Sequence, residues 1–112
     1  MVGLTEFAEA FARKIVDGDA DGAHAMLSAA SAQVTTAADL SGQFDALAND
    51  MGGVTGVGEP MVILEEWPDM AVDDRAMVYV PLEGDVFSEA LTVAIAASDD
   101  GLRISNIEWG RP

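Results

Sequence analysis

One break in the hydrophobic pattern limits the fold of this chain more than any other feature. Before it, apolar residues recur at helical spacing; after it, they alternate as in strands. The break is Gly52-Gly53-Val54-Thr55-Gly56-Val57-Gly58-Glu59-Pro60, where glycine and proline interrupt either period. A chain that is helical on one side of such a break and strand-forming on the other predicts an α+β fold. The expected form is three N-terminal helices packed on a curved antiparallel sheet of four to five strands.

The helical half divides into three segments. Leu4, Phe7, Ala8, Phe11, Ala12 and Ile15 form one face of a helix over Leu4–Val16, with Glu6 and Glu9 near its start, Arg13 and Lys14 near its end, and Gly18 beyond it. A shorter helix is expected over Asp21–Ala30, capped by Asp19 or Asp21. A third is expected over Thr36–Met51, with Leu40, Phe44, Leu47, Ala48 and Met51 on one face. The strand half predicts a short strand at Val54–Val57 and longer ones at Met61–Trp67, Arg75–Leu82, Val86–Ala97 and Leu102–Trp109. Turns are expected at Pro68-Asp69, Asp73-Asp74, Glu83-Gly84-Asp85 and Ser98-Asp99-Asp100-Gly101.

Half of the 112 residues are hydrophobic, enough for one domain spanning 1–112 and too many for a disordered chain. No apolar run is long enough to span a membrane, and the first residues carry no basic patch ahead of an apolar stretch, so a cytoplasmic location is expected. With no cysteine, the chain has no disulfide, thiol nucleophile or thiolate metal site. Twenty acidic residues stand against five basic ones, a net charge of −15. That field repels nucleic acid and anionic membranes, and neither is expected as a partner. It suits solubility, metal cations or a basic protein partner.

Three stretches give the chain a resemblance to a known family. The first is the opening helix ending in Val16-Asp17-Gly18-Asp19 ahead of Ala25-Met26-Leu27-Ser28. The second is a third helix running into the glycine-rich turn. The third is the closing segment Leu102-Arg103-Ile104-Ser105-Asn106-Ile107-Glu108-Trp109. Together they resemble the nuclear transport factor 2-like superfamily, the cystatin-like α+β cone, over nearly the whole chain. The resemblance implies a sheet wrapped around the helices, a pocket at the open end and, for many members, a homodimer through the exposed sheet face. Its members include isomerases, dehydratases, binding domains and docking modules, so the fold alone assigns no activity. The chain has no Asp–His or Tyr–Asp pair placed as in the enzymatic members, and no cofactor is expected.

Several residues invite a chemical reading. Asp17, Asp19, Asp21 and Gly22 match the first half of a calcium loop. Ala23, Ala25 and Ser28 then fall where further ligands are needed, so a helix-capping turn is expected and no metal site is assigned. The Gly52–Gly58 stretch follows a helix and precedes no Lys-Ser/Thr, which reads as a turn into the sheet. His24, the only histidine, is a candidate general base. Tyr79 falls on the face opposite Val78 and Val80. Glu66, Glu89 and Glu108 fall on three predicted strands. Alternation puts Glu89 with Phe87, Leu91 and Val93, and Glu108 with Ile104 and Leu102. A carboxylate on an apolar face is a candidate acid or base. The alternative is an edge charge paired with Arg75, Arg103 or Arg111. Trp67 and Trp109 are expected at strand ends, as packing or as part of a pocket or dimer face, and the methionines as packing.

The leading expectation is a non-catalytic module that binds a small apolar ligand or a protein partner. One alternative is an isomerase- or dehydratase-type enzyme using Glu89, Glu108, Tyr79 or His24. Another is an acidic inhibitor or immunity-type protein that docks on a basic partner, which requires the carboxylates to gather on one face.

Overall fold

In the computed structural model, residues 3–86, 88–99 and 101–110 are described. Four helices come first: α1 (Leu4–Val16), α2 (Ala20–His24), α3 (Ala29–Val34) and α4 (Ala37–Met51). Five strands follow: β1 (Val54–Val57), β2 (Met61–Leu64), β3 (Asp74–Gly84), β4 (Glu89–Ser98) and β5 (Gly101–Trp109). The α+β order is the expected one. Phe87 and Asp100, read above as strand and turn residues, and Arg111 lie outside the described residues.

The helix count differs because the second predicted helix divides. Between α2 and α3 the chain leaves helical geometry and joins the last strand. The Ile104 amide donates to the Met26 carbonyl, the Ser28 amide donates to the Ile104 carbonyl, and Leu27 forms a parallel bridge with Ile104. Ser28 then restarts the helix, its hydroxyl accepting from the Ser31 amide. α4 opens on a full capping box: the Thr36 hydroxyl accepts from the Asp39 amide, and the Asp39 carboxylate accepts from the Thr36 amide. Caps of this kind contribute about 1 kcal/mol. α4 ends at Gly52, whose φ of 77° is the left-handed conformation that terminates helices and that glycine adopts without strain.

The strands form one antiparallel sheet in the order β1-β3-β4-β5, with β2 joined to β3 along the same edge as β1. β1 pairs with the C-terminal end of β3 and β2 with its N-terminal half. The face of Val78, Val80, Leu82, Leu91, Val93, Ile95 and Ile104 is fully buried against α1, α2 and α4, with Phe11, Leu40 and Met51 filling the interior. α1 is the central helix of this layer and touches β1 through β5.

The register shifts at four places, at Thr55 on β1, Ile63 on β2, Arg75 on β3 and Ser105 on β5, and the last two set which side chains of the β3–β4–β5 ladder face the helices. On β5, Ala94 lies opposite Asn106 while Ile95 lies opposite Ile104, so Ser105 is the extra residue. On β3, Arg75 is extra in the same way. Because side chains alternate along a strand, one extra residue moves everything beyond it to the other face. Ile107 and Trp109 therefore pack with the core, while Asn106 and Glu108 turn outward.

Candidate functional site

The face of the sheet that the helices leave uncovered is the most distinctive surface among the described residues. β4 contributes Ala90, Thr92, Ala94 and Ala96 to it, and β3 contributes Met77, Tyr79 and Pro81. The β4 row is buried, with Ala90 0% and Thr92 3% exposed, and at one end the loop from Trp67 to Asp73 shares a cleft with Ala94, Ala96 and Met77. Small side chains on the central strand lie below the larger ones of β3, so the face is a shallow trough beside an aromatic and thioether ridge. Met61 and Leu64 extend the ridge onto β2, opposite Tyr79 and Met77. The β3 and β4 rows of the face, Met77 to Pro81 and Ala90 to Ala96, carry no charge, although the chain carries −15. Arg103, opposite Ala96, and Glu108, opposite Thr92, stand on the outermost strand. The Thr92 hydroxyl is buried without a hydrogen-bond partner among the described residues.

The four candidate acid–base residues are not gathered in one cleft. Tyr79, Thr92 and Glu108 form one row across three strands of the outer face. Two strand spacings put Tyr79 and Glu108 about 10 Å apart at the backbone. Glu89 opens β4 opposite Leu82, on the helix-facing side, as the alternation predicts. His24 ends α2, within the helical layer. Glu108 corrects the sequence reading. It does not share the face of Ile104, because the Ser105 bulge reverses the parity between them. Glu66 is not on a strand: β2 stops at Leu64, leaving Glu66 exposed in the following loop.

Arg75 and Arg103 place their guanidinium groups on main-chain carbonyls, Arg75 on Val72 and Asp74, and Arg103 on Leu102. Trp67 falls three residues past β2, in a loop, where it lines a cleft of about 550 Å³ with Asp69, Asp73, Asp74, Met77 and Ala94. Trp109 does end β5. It packs against the core, and its Nε1 donates to Gln43 Oε1 at 2.6 Å. A second cleft, about 450 Å³, opens there between α3, α4 and β5. Half of its lining is polar: Ser31, Thr35, Gln43, Ser105 and Asn106 stand with Leu27, Ala30, Val34, Ile107 and Trp109.

The aspartates of the calcium-like stretch serve the helix junction. Asp17 is the C-cap of α1, and Asp19 accepts from the Gly22 amide at 2.9 Å as the N-cap of α2. Lys14 Nζ lies 3.6 Å from Asp19 Oδ2. The Gly52–Gly58 stretch turns from α4 into the sheet at Gly52-Gly53 and continues as β1, as expected. The carboxylates do not form one acidic face. They stand on α1, at the α1–α2 junction, along α4, on both sides of β2, in the loop before β3, at the far end of β3 and on β5.

Sequence reasoning missed the link between Ser105 and Asp74. The Ser105 hydroxyl lies 2.9 Å from Asp74 Oδ1 and 3.2 Å from the Ala94 carbonyl, while its own carbonyl accepts from the Ser31 hydroxyl at 2.7 Å. Asp74 Oδ2 accepts from the Ala71 amide. These bonds hold the bulge and the loop before β3 at one end of the outer face. The alternating small residues of β4 were a usable signal for the trough; nothing local marks Ser105 as a bulge.

Compared with protein-family models, with curated proteins and with solved structures, the chain gives no match.

Proposed function

We propose that this chain is a non-catalytic binding module of the nuclear transport factor 2-like kind, which pairs with a second copy through the outer sheet face. The observation that carries this reading is the absence of charge from the β3 and β4 rows of that face, on a chain of net charge −15. Two such chains repel at long range. They can approach only through a surface that keeps carboxylates away from the contact. The shape suits a two-fold interface, in which each copy meets the same patch of the other. The ridge of Met77 and Tyr79 on one copy matches the trough of Ala90, Thr92 and Ala94 on the other. Arg103 and Glu108, of opposite sign on the bordering strand, can pair across such an axis.

The polar lining of the cleft beside Trp109 favours this reading over a small apolar ligand, as does the packed interior between helices and sheet. The separation of Tyr79 and Glu108 from Glu89 and from His24 favours binding over acid–base catalysis.

Sedimentation equilibrium of the whole chain tests the proposal. A reversible dimer is expected, tightened by added salt because salt screens the repulsion between the two acidic chains. Met77→Lys is expected to weaken it by about a hundredfold while circular dichroism stays unchanged, since it buries a charge at the contact. A wild-type chain that stays monomeric at high concentration and high salt would remove the proposal.

A further inference from the structure

β2 is a short apolar edge strand with a register shift at Ile63, flanked by carboxylates. Its four residues, Met61-Val62-Ile63-Leu64, are all apolar, and Met61, Val62 and Leu64 are 53%, 39% and 44% exposed. The strand pairs with β3 alone, and among the described residues no other backbone hydrogen bond reaches it. A shallow hollow of about 380 Å³ runs beside it, lined by Val62, Ile63, Leu64 and Glu65. Exposed apolar edges of this sort pair with other chains unless something prevents it. Exposed carboxylates flank this one on both sides: Glu59 before it, and Glu65 and Glu66 after it.

We infer that β2 is a docking edge for an extended peptide segment, apolar at alternate positions and basic at both ends, which adds to the sheet as a further strand. The backbone edge supplies the hydrogen bonds, the exposed side chains supply apolar contact, and the flanking glutamates set the charge of the partner. Those same glutamates exclude a second copy of this chain. Pairing β2 antiparallel to itself about its centre would set Glu59 of one chain opposite Glu66 of the other. Like charges directly opposite in neighbouring strands are destabilising. The flanks thus act against one partner and for another, which is how specificity is commonly built. The inference does not rest on pairing through the outer face: Met61 and Leu64 border both surfaces, but docking here uses the free backbone edge of β2 and a different readout.

The test titrates the whole chain with a labelled synthetic peptide, Lys-Lys-Val-Thr-Val-Thr-Val-Lys-Lys, followed by fluorescence anisotropy and amide chemical shifts. Saturable, salt-weakened binding is expected, with the largest shifts at Met61–Leu64. The same peptide with glutamate in place of lysine, and the triple variant Glu59→Lys, Glu65→Lys, Glu66→Lys, are each expected to bind about tenfold more weakly or worse, as exposed charge pairs allow. The variant with glutamine at all three positions should fall between, which separates charge from misfolding. Methylating alternate backbone amides of the peptide should abolish binding. Equal binding by the methylated or the glutamate-flanked peptide would overturn the inference. So would shifts centred away from β2, no binding at millimolar peptide, or self-association of the chain through β2.

Discussion

Replacing Phe11 with alanine should lower stability by about 3–5 kcal/mol, the usual cost of emptying a buried aromatic site. Phe11 is fully buried on the helix that crosses all five strands, and it is among the largest side chains of the interior. The other residues of the same core cluster, such as Leu40 on α4 and Val80 and Leu91 on the sheet, belong to separate elements that cannot all close on the space together. For a domain of this size the loss corresponds to a fall in Tm of roughly 12–20 °C. Differential scanning calorimetry measures it. A fall of only a few degrees would mean that the site collapses around the gap and that the core is looser than its burial implies.

Asp74→Ala should cost about 1–3 kcal/mol, the range for losing hydrogen bonds to a charged group. Asp74 accepts from the Ser105 hydroxyl and from the Ala71 amide, so one carboxylate ties the β5 bulge to the loop before β3. Removing it also leaves the Ser105 hydroxyl with only the longer contact to the Ala94 carbonyl. The global effect and the local one are separable. Urea denaturation reports the first. Amide exchange at Ala71 reports the second and should quicken by more than the global loss predicts, the result expected of an exposed loop whose amide bond to Asp74 is removed directly. Exchange that changes only in proportion to global stability would mean that the loop is held by its other contacts.

The legible parts of the fold are those governed by one uninterrupted period. Residues 4–16 and 76–82 could be read correctly because nothing in them conflicts with the 3.6 or the 2 repeat. The segment around Ala25–Ser28 could not. Its backbone leaves the helix for hydrogen bonds with Ile104, a partner that local spacing cannot reveal. Glu108 was misplaced for a related reason. A bulge at a serine has no compositional mark, and counting residues from Ile104 to Glu108 passes through it. The candidate surfaces divide in the same way. The small residues alternating along β4 were visible in the sequence, but that no helix covers them is a property of the whole topology. The apolar run at Met61–Leu64 was visible too, and its position at the sheet edge was not.

The bridge between Leu27 and Ile104 has a consequence for the order of events in folding. Hairpin contacts among β3, β4 and β5 join residues close in sequence and form with little loss of chain entropy. Leu27 and Ile104 stand near opposite ends of the chain, so their pairing closes a long loop and gains little until the strands between are in place. It is therefore a late event in folding, and the clasp that joins the helical half to the finished sheet. Pulsed amide labelling during refolding should protect the β3–β4 ladder before the Ser28 and Ile104 amides. Protection at Ser28 and Ile104 together with the ladder would show instead that the two halves of the chain assemble in one step.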